Sequence, residues 1–168
     1  MAELTPSERL QPCLLDRLTD DEPDKSVESR DRRVLSLRQV RNAVLRDLAW
    51  LMNTPQRLDD EIAEEFPNAA SSVVNFGVPD LCGLTPSGLD LVTLERIVRD
   101  SVKQFEPRII GSTLQVRAVI DEGAMNRGAL SFEIGGDLWA KPAPDPLYVQ
   151  TAVDLETGQF DVTEGEPG

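Results

Sequence analysis

The chain has 168 residues, of which 40% are hydrophobic and 28% are charged, a size and composition typical of one globular domain with short tails. The 30 Asp and Glu residues outnumber the 17 Lys and Arg residues, giving a net charge of −13. This charge disfavours binding to nucleic acid or to an anionic membrane surface, so we expect a protein partner. The absence of histidine excludes Ser-His and Cys-His nucleophile pairs, imidazole bases and most zinc sites.

The sequence contains no signal that would direct it out of the cytoplasm or into a membrane. No apolar run approaches the roughly 18–20 residues that a membrane-spanning helix needs. The first residues, MAELTPSERLQP, have neither the basic nor the apolar region of a secretory signal, so a cytoplasmic location is expected. Cys13 and Cys82 form no CxxC motif, and two reduced thiols are favoured over a disulfide.

The N-terminal residues 1–33 are predicted to be a docking segment followed by a mobile, charged linker. ERLQPCLLDRLT (8–19) is a short amphipathic stretch, and two turns of helix are marginal in water unless they dock on something. The charge-rich linker that follows (20–33) would allow docking either on another protein or on the segment's own domain. The leucines that would make this contact are Leu14, Leu15 and Leu18.

The strongest predicted helix is VLSLRQVRNAVLRDLAWLMN (34–53), where the main domain (34–162) begins. At about 100° per residue, Arg46, Asp47 and Trp50 lie on the side away from its apolar stripe. Trp50 therefore predicts cover on both sides of the helix, either by a larger core or by another protein. The stripe consists of Val34, Leu37, Val40, Val44, Leu48 and Leu51.

A short helix is predicted over 58–66, followed by an irregular segment over 71–84 that is punctuated by Gly and Pro. A second long helix is predicted within TPSGLDLVTLERIVRDSVKQFEP (85–107). Ser87, with an acid three residues later, resembles the first residue of a capping box, and Pro107 stops the helix.

The last third of the chain changes to a period of two. STLQVRAVID, ALSFEIGGDLW and LYVQTAVDLETGQFDV alternate apolar and polar residues, which predicts an antiparallel meander with one buried face. Gly135 and Gly136 suggest a bulge or bend, and a tail is predicted over 163–168. The fold class is therefore α+β: two main helices packed on a small, mainly antiparallel sheet of three or four strands. From residue 140 onward there are six acids and one base, so an open strand edge there would repel its own copies and favour a basic partner strand.

No residue is expected to be catalytic or to bind a cofactor or metal. Glu106 is the best candidate acid, but its neighbour Arg108 favours the ionised carboxylate, whereas a general acid must carry a proton. Aromatic residues, which line sugar-binding clefts, make up only 5% of the chain. No metal-ligand or phosphate-binding motif is present.

Five strings occur in a familiar order: LLDRLTDDEP, VLRDLAWLMNT, SVVNFGVPDLCG, FEPRI and LWAKPAPDPLYVQTAVDLETG. They resemble the TssE family, the small baseplate subunits of bacterial type VI secretion systems. That family is similar to the baseplate wedge protein of contractile phages, long labelled lysozyme-like. The resemblance covers roughly residues 10–160.

The resemblance implies a structural protein in the cytoplasmic baseplate, in contact with other wedge subunits and with the contractile sheath, whose assembly it would template by strand addition. The family's EPR triplet corresponds to Glu106, Pro107 and Arg108. From the residues alone, this triplet is either an internal brace or a handle for a partner, and the resemblance favours the handle. A peptidoglycan hydrolase, as the lysozyme-like label suggests, and a cytoplasmic adaptor for effectors are the alternative functions. The predicted interaction residues are the triplet, the helix face Arg46, Asp47 and Trp50, and the leucines Leu14, Leu15 and Leu18.

Overall fold

The computed structural model describes residues 13–19, 23–24, 36–82, 90–120, 129–140 and 143–165. Outside these ranges lie most of the predicted linker, the start of the docking segment and the last three residues of the predicted tail. Val34 and Ser87 also lie outside them. Within them, no helix has the length and apolar character needed to cross a membrane. The helices are α1 (Leu14–Leu18), α2 (Leu37–Met52), α3 (Asp60–Glu65), α4 (Pro67–Ala70) and α5 (Leu91–Phe105), with a 3₁₀ turn at Val73–Asn75; the strands are β1 (Gln115–Ile120), β2 (Ala129–Leu138), β3 (Asp145–Asp154) and β4 (Gln159–Glu164).

Helix α2 begins at a capping box that the sequence analysis missed. The backbone N–H of Gln39 donates to the Ser36 hydroxyl (3.3 Å), and Gln39 Oε1 accepts from the Ser36 backbone N–H (2.8 Å). Most of the predicted apolar stripe is buried, whereas Leu37 in the first turn is exposed. The predicted helix is confirmed. Its buried stripe residues are Val40, Val44, Leu48 and Leu51.

Helix α5 starts later than predicted. Its N-cap is Asp90, whose carboxylate accepts a hydrogen bond from the Thr93 backbone N–H at 3.3 Å. The prediction that Ser87 caps this helix is wrong, because an aspartate three residues closer to the apolar stripe takes that role. The helix ends at Phe105, as predicted, because Pro107 disfavours helical backbone angles at Glu106 (φ −121°, ψ 73°).

The four strands form one antiparallel sheet in the order β1-β2-β3-β4, so the predicted meander is confirmed. Strand β4 continues to Glu164, two residues past the predicted end of the main domain. The predicted bulge is wrong: Gly135 and Gly136 pair in unbroken register with Tyr148 and Leu147. A Cβ on Gly136 would lie 2.9 Å from Ile109 Cγ2, so this glycine allows a close approach of the chain.

Both long helices pack on the same face of the sheet, with α5 along β1 and α2 along β4. Phe132, at the centre of this layer, is fully buried, and its ring stacks on that of Phe160 with 6.3 Å between centroids. The predicted α+β architecture of two main helices on a small sheet is confirmed. It leaves two outer strands, β1 and β4, and places the end of α5 at the corner where the chain enters the sheet.

Candidate functional site

The corner between α5 and the sheet, residues 106–108, is called the joint. The side chain of Glu106 is only 3% exposed. Its Oε1 accepts from Arg108 Nε at 2.7 Å and from the Arg108 backbone N–H at 3.1 Å, and its Oε2 accepts from Arg108 Nη2. This bidentate ion pair fixes the orientation of both side chains. The Glu106 side chain turns inward, whereas Pro107 and part of Arg108 form the exposed surface of the joint.

The joint is also bonded to the end of β2. The backbone N–H of Trp139 donates to the Arg108 carbonyl, and that of Ile110 donates to the Asp137 carbonyl, each at 2.8 Å. Ile109 thereby forms an isolated antiparallel bridge opposite Leu138. The triplet therefore lies at a corner whose backbone is hydrogen-bonded to the end of β2. The Glu106–Arg108 pair forms the internal brace that was predicted as one alternative.

Ion pairs connect the joint to α2 and then to α1. Arg108 Nη2 contacts Asp47 Oδ2 at 2.5 Å, Arg46 Nη2 contacts Asp47 Oδ1 at 2.7 Å, and Arg46 Nη1 contacts Asp16 Oδ1 at 2.6 Å. Partial burial acts to lower the pKa of Arg108, but hydrogen bonds and charge from Glu106 and then Asp47 outweigh it and raise the pKa. The same balance, with Asp16 and Asp47 as partners, raises the pKa of Arg46.

The hydrogen bonds and ion pair that join helix α1 to its own domain are made by Cys13 and Asp16. Burial acts to raise the pKa of Asp16, but hydrogen bonds from Cys13 and Arg46 outweigh it, and the pKa is lowered. Leu14 and Leu18 are 71% and 74% exposed, whereas Leu15 is 41% exposed and lines a pocket beside Trp50. The ion pair of Asp16 with Arg46 therefore connects α1 to the domain, while Leu14 and Leu18 stay open to solvent.

The second face of α2 is only partly covered by the chain's own core, which leaves cover by another protein as the open alternative of the prediction. Trp50 is 51% exposed, and the Arg46 guanidinium lies over its ring, 5.1 Å from the centroid. A pocket of about 480 Å³, called the joint pocket, opens beside it. Residues from α1, α2 and the joint line it together with Phe76 and Phe105, whose rings meet edge to face at 5.2 Å.

The outer edge of β4 is closed at one end by a side chain. Asn53 Nδ2 donates to the Phe160 carbonyl and Asn53 Oδ1 accepts from the Phe160 N–H, both at 2.9 Å. This amide thus occupies the position of one residue of a neighbouring antiparallel strand. Because alternate residues face the same edge, Val162 and Glu164 also point their backbone groups outward. Within the described ranges these groups have no hydrogen-bond partner.

The two acidic C-terminal strands are clamped to α2 by Arg41. Its Nη1 contacts Glu164 Oε1 at 2.5 Å, and its Nη2 contacts Asp145. These bonds, first that to Glu164, raise the pKa of Arg41. At the opposite edge of the sheet, Glu95 Oε1 accepts from the outward Ala118 N–H of β1 at 2.8 Å. Each outer strand is therefore partly capped by a helix side chain.

The joint has little of the geometry of an acid–base site. Both oxygens of Glu106 already accept hydrogen bonds from Arg108, and the neighbouring carboxylate of Asp47 is bonded to the same guanidinium. A glycosidase separates two carboxylates across a cleft with different roles, whereas one cation holds these two. In the ranges that the structure describes, no group of three or more His, Cys, Asp or Glu could hold a metal ion.

The structure brings the three predicted groups of interaction residues into one place. Leu15 of α1, Asp47 and Trp50 of α2 and the joint line a single pocket, and Arg46 joins α1 to α2 beside it. Leu14 and Leu18 do not line this pocket. Sequence reasoning missed Asp16, which makes the link to α1, and the edge cap on β4. An acid inside an amphipathic stretch was the only signal available for Asp16, and nothing local marked its partner.

A braced corner beside a half-exposed tryptophan, and a strand edge with unpaired backbone groups, are features of proteins that assemble with other chains. A family model described as baseplate wedge protein gp25 matches residues 38–143, more than half of the sequence, and the chain belongs to that family. It is thus a structural component of the baseplate of a contractile injection system and assembles with other baseplate subunits. No curated protein and no solved structure matches the chain.

Proposed function

We propose that this chain is a non-enzymatic subunit of a type VI secretion system baseplate, of the TssE type, that links other wedge subunits to the contractile sheath and starts sheath assembly by accepting a strand. It would act in the cytoplasm, assembled on the cytoplasmic face at the baseplate that is anchored to the inner membrane, without membrane insertion, nucleic acid or cofactor. The observation that carries the proposal is the open edge of β4 at Val162 and Glu164.

The proposed acceptor is β4 because it combines free backbone groups with negative charge. An incoming strand would pair with Val162 and Glu164 and would stop at Phe160, where Asn53 already fills the edge. Asp161 lies on β4, and the single charge of Arg41 is shared by Glu164 and Asp145, so this edge keeps a net negative charge. Two copies of the edge would therefore repel each other and a basic strand would be attracted. This selects a sheath strand that carries Lys or Arg.

The proposed contact with the wedge is the joint pocket and the surface around it. Trp50 and Pro107 are exposed at its rim, and the solvent-facing leucines of α1 lie beside it. Exposed aromatic and leucine side chains next to a braced corner suit a partner's apolar side chains. In this proposal Glu106 acts through Arg108, whose position it sets, and does not touch the partner. The exposed leucines are Leu14, Leu15 and Leu18.

A proline substitution tests the edge. Val162→Pro removes one outward N–H, and an edge strand tolerates proline where the missing N–H would face solvent. Val162→Ala is the matched control that keeps this N–H. We expect both variants to fold and to bind wedge subunits, with sheath polymerisation on purified baseplates lost only in Val162→Pro. Sheath assembly at the wild-type rate on Val162→Pro baseplates would refute strand addition at β4.

The wedge contact is tested separately by Trp50→Ala and by the double variant Leu14→Ser/Leu18→Ser. Val92→Ser, at another exposed apolar position, is the control. Retention on immobilised wedge subunits should fall in the first two variants and not in the control. Equal retention of all three would refute this contact. Clearing of cell-wall suspensions by the purified protein, if lost in Glu106→Gln, would overturn the non-enzymatic role.

A further inference from the structure

The segment between α2 and α5 contains a loop, residues 57–76. Backbone hydrogen bonds between residues 54–56 and residue 78 hold the two ends of this loop together, and this closure is called the neck. At the neck, the Gln56 N–H donates to the Val78 carbonyl and the Val78 N–H donates to the Thr54 carbonyl, each at 2.9 Å. Gly77 has a φ of +137°, and a Cβ there would lie 2.1 Å from the Thr54 oxygen. Only glycine fits at this closure, so the exit and return of the loop are held in one geometry.

Inside the loop, a buried amide holds the two ends together. Asn75 is 6% exposed, and its Oδ1 accepts from the backbone N–H groups of Arg57 and Leu58, both at 3.1 Å. Its Nδ2 donates to the Ala70 carbonyl at 3.3 Å. Between these points α3, α4 and the 3₁₀ turn lie against one another in chain order. The loop is therefore a built element with its own polar anchor.

This element adds almost nothing to the hydrophobic core. The core cluster runs from Met52 directly to Val78, and only Phe76, at the root of the loop, packs against it. Four large apolar side chains of the loop instead face solvent. They are Ile62, Phe66, Val73 (82% exposed) and Val74. A rigid element that keeps its apolar side chains outside the core is a mark of a binding surface.

The charge around these side chains restricts what can cover them. The loop contains five acids and a single base, Arg57, and no Lys or Arg follows until Arg96. A second copy of the loop would bring like charges together, and an anionic bilayer would be repelled. A surface with an apolar centre and a Lys or Arg rim is complementary in both respects.

We propose that the 57–76 loop is a docking element for another wedge subunit, whose contact surface is apolar at its centre and basic at its rim. The proposal rests on the baseplate role of the family and is independent of strand addition at β4. The loop's contact side chains, which belong to α3, α4 and the 3₁₀ turn, do not line the joint pocket, to which the loop contributes only Phe76 at its root. The apolar side chains would supply the contact, and the acids would select the partner.

The test measures binding of the full-length chain to each purified wedge and sheath subunit of the same secretion system by biolayer interferometry. The loop variant is Phe66→Ser/Val73→Ser, and the matched control is Val92→Ser, since Val92 on α5 is 75% exposed. We expect at least a tenfold loss of affinity for one wedge subunit in the loop variant, unchanged affinity in the control, and unchanged melting temperatures in both. Glu61→Gln/Glu64→Gln should reduce the salt dependence of that same binding.

Several results would overturn the proposal. One is an unchanged affinity of the loop variant for every wedge subunit. Others are a loss of affinity confined to a sheath subunit, a wild-type dimer that the loop variant abolishes, or wild-type binding to phosphatidylglycerol vesicles that the loop variant lacks. Because Val162→Pro reports on the β4 edge alone, failure of the loop proposal and failure of strand addition give different patterns.

Discussion

Replacing Arg108 by alanine would remove the guanidinium that holds both oxygens of Glu106, a side chain that is only 3% exposed. The carboxylate would keep one donor, the backbone N–H of residue 108 at 3.1 Å. Leaving a buried charge without its partner costs about 3–5 kcal/mol. For a chain of this length that corresponds to a fall in melting temperature of about 6–20 °C.

Thermal and urea unfolding followed by circular dichroism measure this change. Arg96→Ala, at an exposed position on α5, is the control and should cost less than about 0.5 kcal/mol. Arg108→Lys should fall between the two, because an ammonium group keeps the charge but cannot bind both carboxylate oxygens in the fork geometry of arginine.

The double variant Glu106→Leu/Arg108→Met separates the ion pair from simple packing. Removing both charges leaves no buried charge without a partner, because Asp47 keeps its ion pair with Arg46 and only the backbone N–H of residue 108 loses its acceptor. The double variant should therefore be more stable than Arg108→Ala alone. If Arg108→Ala costs no more than Arg96→Ala, the brace contributes nothing and the reasoning about the joint is wrong. If the double variant is the least stable of all, the joint is held by packing of the two side chains rather than by their charges.

The same contacts predict three further results. Gly77→Ala forces a Cβ against the Thr54 carbonyl, so the free energy of unfolding in urea should fall by at least about 3 kcal/mol and the loop should be cut faster by protease; unchanged stability would contradict this. Asn53→Ala removes both hydrogen bonds to the Phe160 backbone, so the free energy of unfolding should fall by about 1–3 kcal/mol. Hydrogen exchange at the Phe160 amide should also become faster, whereas a loss of helix packing alone would leave it slow. Asp16→Asn should release α1, seen as faster proteolysis there, at a cost below about 1 kcal/mol. Because the pKa of Asp16 is lowered on folding, its contribution is fully present above the ordinary carboxyl pKa of about 3.9 and is lost as the pH falls through the lowered pKa of the folded state. The difference between variant and wild type should therefore shrink as the pH falls below about 4, and a difference that does not change with pH in this range would contradict the ion pair.

Local periodicity was enough to predict the elements of this fold. Each pattern can be read from one continuous stretch of sequence: the apolar stripe that includes Val44 and Leu48, and the alternation of apolar and polar residues in β3. The meander follows from the short spacing between strands. The start of α5 was missed because two capping residues, Ser87 and Asp90, compete within four positions. The glycine pair at 135–136 was misread as a bulge. A glycine is needed at position 136 because Ile109, from another part of the chain, comes close to it.

The candidate site was predicted only in pieces. Helical geometry places Arg46 and Trp50 on one face, but their partners come from α1 and from the joint, which no local pattern connects. A following proline restricts the backbone of Glu106 and leaves the direction of its side chain open, so inward and outward orientations look alike in the sequence. The leucines of α1 show the reverse problem, because an amphipathic pattern predicts burial without saying in which molecule.

Helix α2 connects every surface discussed above. At its start Arg41 clamps β3 to β4, and after its last turn Asn53 closes the edge of β4. In its middle Asp47 holds the joint through Arg108, and the chain that leaves its end forms the neck of the 57–76 loop. A displacement at one of these surfaces must therefore move α2 or break a bond to it. We infer that a baseplate subunit built in this way holds its partners at set positions relative to one another, because one helix with a buried apolar face carries the edge, the joint and the loop.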